Sequence, residues 1–168
     1  MKKPKIKFKV LDTPLEYIEK LEKILTDIYE ADLYDYVSEK LKMLCFNDVC
    51  IIYEPIGIEP AKITIYCGPW IAIMNRGKIA PSIPLINEIF RKKGVRGAIE
   101  VCERGIKAFL YGNDILIESI VTKYPPCDRL VAVIDHVDKE IVGFAEWDKE
   151  NNVYRNIYDI GIFLRQIG

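Results

Sequence analysis

The sequence predicts an α+β fold in which a mixed α/β part precedes a small β-barrel. An apolar stripe at helical spacing runs through residues 15–28, and proline and glycine interrupt β-branched and aromatic runs in residues 49–74. After Gly97 short strand candidates follow one another closely, which is typical of a small closed or nearly closed barrel. Because the chain has no internal repeat or low-complexity linker, the best single boundary divides it into residues 1–97 and 98–168.

The start of the chain predicts one strand and two helices. Lysines alternate with apolar side chains in residues 5–10, so we expect a strand with one wet face and with Val10 turned inward. Residues 13–16, TPLE, combine a capping threonine, a proline suited to the first helical position and a capping box, and the helix should run to about Glu30. A shorter helix with inward leucines is expected over residues 38–44.

The middle of the chain predicts a β-meander followed by a helix. The meander comprises three β-rich runs, which are VCIIY (49–53), KITIY (62–66) and WIAIM (70–74). The Asn-Arg-Gly-Lys segment at 75–78 predicts a turn. A helix near residues 82–93 should end at Gly94, and the basic residues in its last turn suit the helix dipole.

The second part predicts strands near residues 98–102, 107–111, 129–135 and 140–147, of which the later ones are joined by hairpin loops. Gly112 and Asn113 are expected where a strand turns into a short buried helix, with asparagine as the cap. The last eleven residues fit either a strand or a final helix.

The composition is that of a soluble globular protein, with half of the 168 residues apolar and 29% charged. No apolar run approaches the roughly 20 residues of a membrane span. The basic N-terminus lacks the features of a signal peptide, so we expect a cytoplasmic protein without membrane contact. The chain has 27 isoleucines, one glutamine and 17 lysines against 7 arginines, a bias found in thermophiles.

The cysteines predict buried, reduced thiols. Their number is odd, and all except Cys127 lie in or beside apolar runs. Cys45 and Cys50 have the spacing of half a zinc site, but no second cysteine pair follows and His136 is the only histidine. The sequence therefore predicts no metal site.

Motifs of common enzyme classes are absent from the sequence. It has no P-loop, no dinucleotide-binding fingerprint and no nucleophile elbow. His136 stands in a polar hairpin tip among Asp135, Asp138 and Glu140, which predicts a surface histidine and not a general base. We therefore expect a protein that is not an enzyme and that needs no cofactor.

The distribution of charged and aromatic residues instead favours a protein that binds nucleic acid. The first 97 residues carry 16 basic and 13 acidic side chains, and residues 98–168 carry 8 and 12. Residues 76–96 alone hold six basic residues and one acid, an excess that suits a phosphate backbone. Tyr111, Tyr124 and Tyr154 are candidate stacking surfaces for unpaired bases, although tyrosine in a small barrel also serves as core.

Four segments resemble a known family. AFLYGNDIL (108–116) is similar to the signature that opens the PUA domain of the Nip-seven family of large-subunit ribosome-assembly factors. LVAVIDHVDKEIVGFAEW (130–147) resembles the central hairpin of that family, and DIGIFLRQ (159–166) resembles its closing element. YVSEKLKML (36–44) resembles one of its helix starts, whereas the helix near residues 82–93 is an addition and residues 54–60 depart from a basic stretch of the family.

The resemblance implies an archaeal-type, α/β pre-PUA domain at 1–97 and a PUA pseudo-β-barrel at 98–168 that binds RNA without catalysis. It further implies pre-rRNA or large-subunit rRNA as the partner, with ribosome-assembly or exosome proteins beside it. Within this frame the predicted RNA contacts of the second part are Gly112, Asn113, Lys123, Arg129, Lys149, Arg155 and Arg165, and those of the first part are Arg91, Lys92, Lys93 and Arg96.

Two alternatives stay open at the level of sequence. In one, the barrel has lost RNA binding and docks a protein partner, which the acidic balance of the second part favours. In the other, the chain is a targeting subunit of an RNA-modifying enzyme. Also open is whether the added helix covers an RNA groove or extends it.

Overall fold

The computed structural model describes residues 8–38, 40–56, 68–162 and 165. Within them, two sheets and three α-helices form an α+β structure whose second sheet curls into a half-barrel, as the sequence predicts. The predicted strand at residues 62–66 lies outside the described residues, as do Lys5 and Lys7 of the first strand.

The first sheet is antiparallel, with its five described strands in chain order: β1 Phe8–Asp12, β2 Lys42–Phe46, β3 Val49–Tyr53, β4 Trp70–Asn75 and β5 Lys78–Pro81. Helix α1 (Leu15–Tyr29) follows β1, and helix α2 (Ile83–Lys93) follows β5. A 3₁₀ helix at Leu33–Asp35 lies between α1 and β2. No described helix is long and apolar enough to cross a membrane.

The second sheet contains the remaining strands in the order β7-β11-β10-β9-β6-β8, with β6 parallel to β9 and the other pairs antiparallel. Their bounds are β6 Ala98–Val101, β7 Ile115–Leu116, β8 Ile120–Tyr124, β9 Leu130–Asp135, β10 Ile141–Asp148 and β11 Val153–Asp159. Helix α3 (Glu103–Leu110) and a 3₁₀ helix (Ile117–Ser119) complete this part.

The two sheets share one hydrophobic core. Leu130, Ala132 and Ile134 of β9 pack into a cluster with α1, α2 and the first sheet. Val131 and Val133 of the same strand face the other way, into a second cluster beneath α3. Successive residues of a strand point to opposite faces of its sheet, and both faces of β9 are buried. One of these two faces is buried because the first part of the chain covers it. The division of the chain into two domains at residue 97 therefore stays a prediction.

Helix ends agree with the sequence at α2 and differ at α1. Ser82 caps α2 by accepting a hydrogen bond from the Leu85 N–H at 3.2 Å, and α2 ends at Gly94 as predicted. At α1 no side chain caps the first turn, and the helix begins after Pro14. Thr13 is buried and its hydroxyl has no hydrogen-bond partner, so the predicted capping box is wrong.

Three predicted elements are corrected by tertiary contacts. Residues 42–46 form strand β2 and not a helix, because β1 and β3 pair with them on both sides. The strand predicted at 107–111 is the end of α3, whose Ile106 and Phe109 reach the core at helical spacing. In the edge strand β1, Val10 is 49% exposed and Leu11 packs on the core instead.

Cys45 and Cys50 form a disulfide, which contradicts the prediction of reduced thiols at these two positions. Both lie in the β2–β3 hairpin, where they face each other in the strand register. The antiparallel pairing therefore explains the spacing of these two cysteines. Cys102 and Cys127 are free, and Cys67 lies outside the described residues.

We predict that Gly97→Ala destabilises the protein by about 2–4 kcal/mol. Gly97 has a φ of +57°, and an added Cβ would overlap Cγ2 of Ile28 and lie 3.2 Å from Cε1 of Tyr29. Gly77→Ala is the control, because Gly77 has a φ of +77° in the exposed β4–β5 turn and no atom lies within 4 Å of its added Cβ. Urea unfolding measures both variants, and equal losses of unfolding free energy would contradict the steric account.

Candidate nucleic-acid interface

The loop after α3 is a helix end closed by glycine. Gly112 has a φ of +89°, and its N–H donates to the Phe109 carbonyl at 2.8 Å. The N–H of Asn113 donates to the Ala108 carbonyl at 3.2 Å, and the Asn113 side chain donates to the same carbonyl. This loop is a helix C-terminus, so the predicted strand-to-helix junction with Asn113 as the cap is wrong.

An ion pair between a buried carboxylate and a partly exposed arginine holds this loop against the end of β11. The Asp159 carboxylate is fully buried and accepts hydrogen bonds from Arg165 at 2.6 and 3.0 Å. It also accepts from the Asn156 amide and from the Gly161 N–H, both at 2.9 Å. Arg165 donates in addition to the Leu110 carbonyl at 2.6 Å, and the hydrogen bond to Asp159 raises the pKa of its guanidinium. Arg165 therefore ties the end of α3 to β11.

A polar pocket of about 330 Å³ opens beside this loop, and we call it the loop site. Its lining includes Asn75, Arg76, Tyr111, Gly112, Asn156 and Arg165. The Tyr111 side chain is 80% exposed, and Arg76 is exposed in the β4–β5 turn. Asn75 donates to the Ile157 carbonyl at 3.0 Å, which fixes that turn to β11. The loop site thus combines an aromatic ring, a guanidinium and amide groups.

Of the predicted contacts, the loop site contains only Gly112 and Arg165, with Asn113 adjacent to them. Sequence reasoning named Tyr111 as a stacking surface but missed Asn75, Arg76 and Asn156 as site residues. The Asn-Arg-Gly turn was visible in the sequence, whereas its position beside Tyr111 depends on how the two sheets pack. Tyr124 and Tyr154 do not serve as open platforms, because Tyr124 donates to Glu100 at 2.7 Å and Tyr154 is buried.

The basic end of α2 supports the end of α1. Lys93 donates to the Glu30 carbonyl at 2.5 Å, and Arg96 donates to the Ile28 carbonyl at 2.8 Å and pairs with the Glu30 side chain. These contacts satisfy carbonyls that a helix leaves unpaired, in a helix with no basic residue in its last turn. Lys92 pairs with Glu88 at 2.8 Å, and within the described residues Arg91 has no ion partner.

The predicted cations of the second part are spread over the surface. Arg155 donates to Asp148 at 2.6 Å, and the Lys123 ammonium lies 5.8 Å from the centre of the Tyr154 ring. Arg129 lies 3.7 Å from Asp27 and 3.6 Å from Asp128, and Lys149 is exposed at a hairpin tip. They do not converge on one site.

His136 belongs to a paired cluster around a buried carboxylate. The Glu100 carboxylate accepts from Lys139 at 2.8 Å and from Tyr124 at 2.7 Å, and His136 Nδ1 lies 2.8 Å from it. Hydrogen bonds from Lys139, Tyr124 and His136 lower the pKa of the Glu100 carboxyl to about 2. The cluster links β6, β8 and the β9–β10 turn. In the described part of the chain, no group of three His, Cys, Asp or Glu side chains could hold a metal ion.

Residues 97–168, which are less than half of the chain, match the family model described as UPF0113 PUA domain. Together with the curled second sheet, this match shows a PUA-type pseudo-β-barrel fold for this part of the chain. A PUA domain indicates RNA binding or a role related to RNA modification. No curated protein matches the chain. The finer assignment to the Nip-seven family stays a prediction.

Three solved archaeal structures share the fold. A conserved PUA domain protein from Thermoplasma acidophilum is 18% identical with a TM-score of 0.59, covering 95% of this chain and 99% of that one. A hypothetical protein from Pyrococcus horikoshii is 13% identical with a TM-score of 0.60, covering 90% and 93%. A PUA domain from Aeropyrum pernix, solved as a tartrate complex, is 14% identical with a TM-score of 0.55, covering 96% and 91%. At these identities the likeness shows the fold alone.

We predict that Asp159→Asn lowers the free energy of unfolding by about 3 kcal/mol, because it leaves the Arg165 guanidinium without its buried anion. Asp12→Asn is the control, since it makes the same change in an exposed pair with Lys42 and should change stability little. Urea unfolding monitored by circular dichroism measures both. An equal effect of the two substitutions would show that burial of Asp159 does not matter.

We predict that Glu100→Gln destabilises the protein by about 1–3 kcal/mol at pH 7 and that this difference shrinks below pH 4.5. The folded pKa of about 2 lies below the ordinary value of 4.5, so the contribution of the carboxylate is present above pH 4.5 and is lost as the pH falls toward 2. Unfolding at several pH values checks the slope. Glu103→Gln, in an exposed pair with Lys107, is the control and should leave the pH profile nearly unchanged.

Proposed function

We propose that this protein is a non-catalytic RNA-binding protein of rRNA processing and large ribosomal subunit assembly, and that it holds RNA at the loop site. The observation that carries the proposal is the exposed Tyr111 ring beside Arg76 on a loop of the PUA domain. An aromatic ring offers a stacking face to any unpaired base, and an arginine binds the adjoining phosphate. The expected partner is single-stranded pre-rRNA or large-subunit rRNA.

The loop site suits this task because its parts are held in place before RNA arrives. Arg165 and Asp159 anchor the loop that carries Tyr111, and Asn75 anchors the turn that carries Arg76. A platform that is already ordered loses little conformational entropy on binding. Ordering also places the tyrosine and the arginine at a constant separation, as contact with one nucleotide requires.

The ribosomal role rests on the sequence resemblance of residues 108–116, 130–147 and 159–166. We further propose that the chain is not an enzyme. The pKa of the Glu100 carboxyl is strongly lowered, and a histidine lies beside it. Its oxygens are occupied by lysine, tyrosine and histidine, which suits a structural role.

A protein-interaction module is the second candidate. It is favoured because several of the cations predicted to contact RNA are paired within the chain. Lys93 and Arg96 bind carbonyls of α1, and Arg155 and Arg165 bind aspartates. A cation that already has a partner releases less free energy on meeting phosphate. If the intact protein binds no RNA at low salt, this second candidate replaces the first.

We predict that Tyr111→Ala weakens binding of a fluorescent single-stranded RNA roughly 5- to 150-fold, which corresponds to about 1–3 kcal/mol for one stacked base. Arg76→Ala should weaken binding and lower the slope of log K against log salt by about 0.7, the value expected when one phosphate is no longer neutralised. Fluorescence anisotropy of the intact chain at several salt concentrations measures both quantities. The intact chain is used because residues 98–168 share their core with the first part.

The matched controls lie away from the loop site. Tyr34→Ala removes another exposed tyrosine, and Lys40→Ala removes an exposed charge. Both should retain affinity within about twofold and keep the salt slope. Tyr111→Ala with unchanged affinity would refute stacking at this site.

A further inference from the structure

A second cavity, of about 360 Å³, lies between α1 and the β4–β5 turn on one side and strands β9 to β11 on the other; we call it the interface cleft. Its floor is apolar and includes Ile24, Ile79, Leu130 and Ile157. Its rim is charged. A cavity of this size lies within the range of sites that hold small molecules, and it shares neither Tyr111 nor Arg76 with the loop site.

The rim carries more positive than negative charge. Lys20, Lys23, Lys78 and Arg129 face two carboxylates, Asp27 and Glu146. Lys78 is neutralised by Glu146 at 2.7 Å, and Arg129 lies 3.7 Å from Asp27. Lys20 and Lys23 are exposed and, among the described residues, have no acidic partner. Three residues apart on α1, they lie on one face of the helix, so the cleft has two cations left for an anion.

An apolar floor beside two lysines without an acidic partner among the described residues fits a nucleotide, although the Lys20 ammonium also lies 5.4 Å from the centre of the Tyr17 ring. The floor can take the face of a base, which is flat and poorly hydrated, whereas the two lysines can take the phosphate. Ile24 and Ile79 are only partly buried in the free protein, so covering them removes apolar surface from water. A simple inorganic anion would bind to the lysines of the rim and would leave the apolar floor exposed to water.

The interface cleft and the loop site flank the same turn. Arg76 lines the loop site and Gly77, the next residue, lines the cleft. Asn156 and Ile157 of β11 are divided in the same way. Because consecutive residues of a strand point to opposite faces, the cavities lie on either side of the exposed turn at Arg76 and Gly77, and a strand of RNA that occupies both must cross that turn.

We propose that the interface cleft binds a nucleotide of the same single RNA strand that occupies the loop site, with its base on the isoleucine floor and its phosphate at Lys20 and Lys23. This inference rests on the proposed function and extends it to residues of the first part of the chain. It assigns to α1 a role in RNA binding that its core packing alone does not require.

The test is NMR of the intact protein with ¹³C-labelled isoleucine methyl groups. Uridine or adenosine 5′-monophosphate should shift the methyl signals of Ile24, Ile79 and Ile157, and Lys20→Ala/Lys23→Ala should abolish these shifts. Lys9→Ala/Lys40→Ala is the matched control, because it removes the same charge from exposed lysines that line neither cavity. Its shifts should equal those of the unmodified protein.

A second measurement uses single-stranded RNA. Lys20→Ala/Lys23→Ala should weaken binding roughly 5- to 25-fold at low salt and lower the salt slope by about 0.7 for each phosphate that is no longer neutralised. The Lys9→Ala/Lys40→Ala control should keep most of the affinity and the slope. Equal losses in the two double variants would mean a general charge effect and would overturn the proposal.

The two measurements separate the cleft from the proposed function. In one outcome, Tyr111→Ala weakens RNA binding but the methyl signals of the cleft respond to neither RNA nor nucleotide. That outcome would support the proposed function and would refute nucleotide binding in the cleft. Shifts with free nucleotide but no RNA binding would refute the proposed function and also overturn an RNA nucleotide as occupant. Inorganic phosphate is the probe for an anion-only site, and if it reproduces every shift, the nucleotide assignment is wrong.

Discussion

The pairing of Asp159 with Arg165 controls the geometry on which the proposed RNA contact depends. A carboxylate without solvent contact must have its hydrogen bonds supplied by the protein, and here they come from an arginine, an asparagine amide and a backbone N–H. The same arginine reaches the Leu110 carbonyl at the end of α3. One buried charge therefore joins α3, the end of β11 and the loop that presents Tyr111.

The shared core extends this constraint to the first part of the chain. Because α1 and the first sheet cover one face of β9, the β4–β5 turn is brought against β11, where Asn75 bonds the Ile157 carbonyl. The ring of Trp70 meets that of Tyr158 edge-on, with ring centres 5.7 Å apart, across the same boundary. Both cavities form along this boundary, so the RNA site we propose belongs to the packed pair and not to the barrel by itself.

Basic residues in this chain divide into two groups that the sequence does not distinguish. Lys93 and Arg96 complete the end of α1, and Arg165 neutralises Asp159, so these side chains contribute to the fold. Arg76, Lys20 and Lys23 have no acidic partner among the described residues and face cavities. A count of positive charge measures both groups together, so the basic excess at residues 76–96 does not by itself show which of its cations are free to bind phosphate.

Features that depend on local chemistry can be predicted from the sequence. Ser82 and Gly94 bound α2, the Arg76–Gly77 turn joins β4 to β5, and two apolar runs on either side of a polar turn place β9 and β10. Features that depend on partners far away in the chain appear only in the tertiary structure. Residues 42–46 become a strand because β1 and β3 pair with them, and Gly112 ends a helix because Phe109 turns into the core. The loop site likewise unites residues up to 90 positions apart, since Asn75 and Arg165 meet only when the two sheets pack.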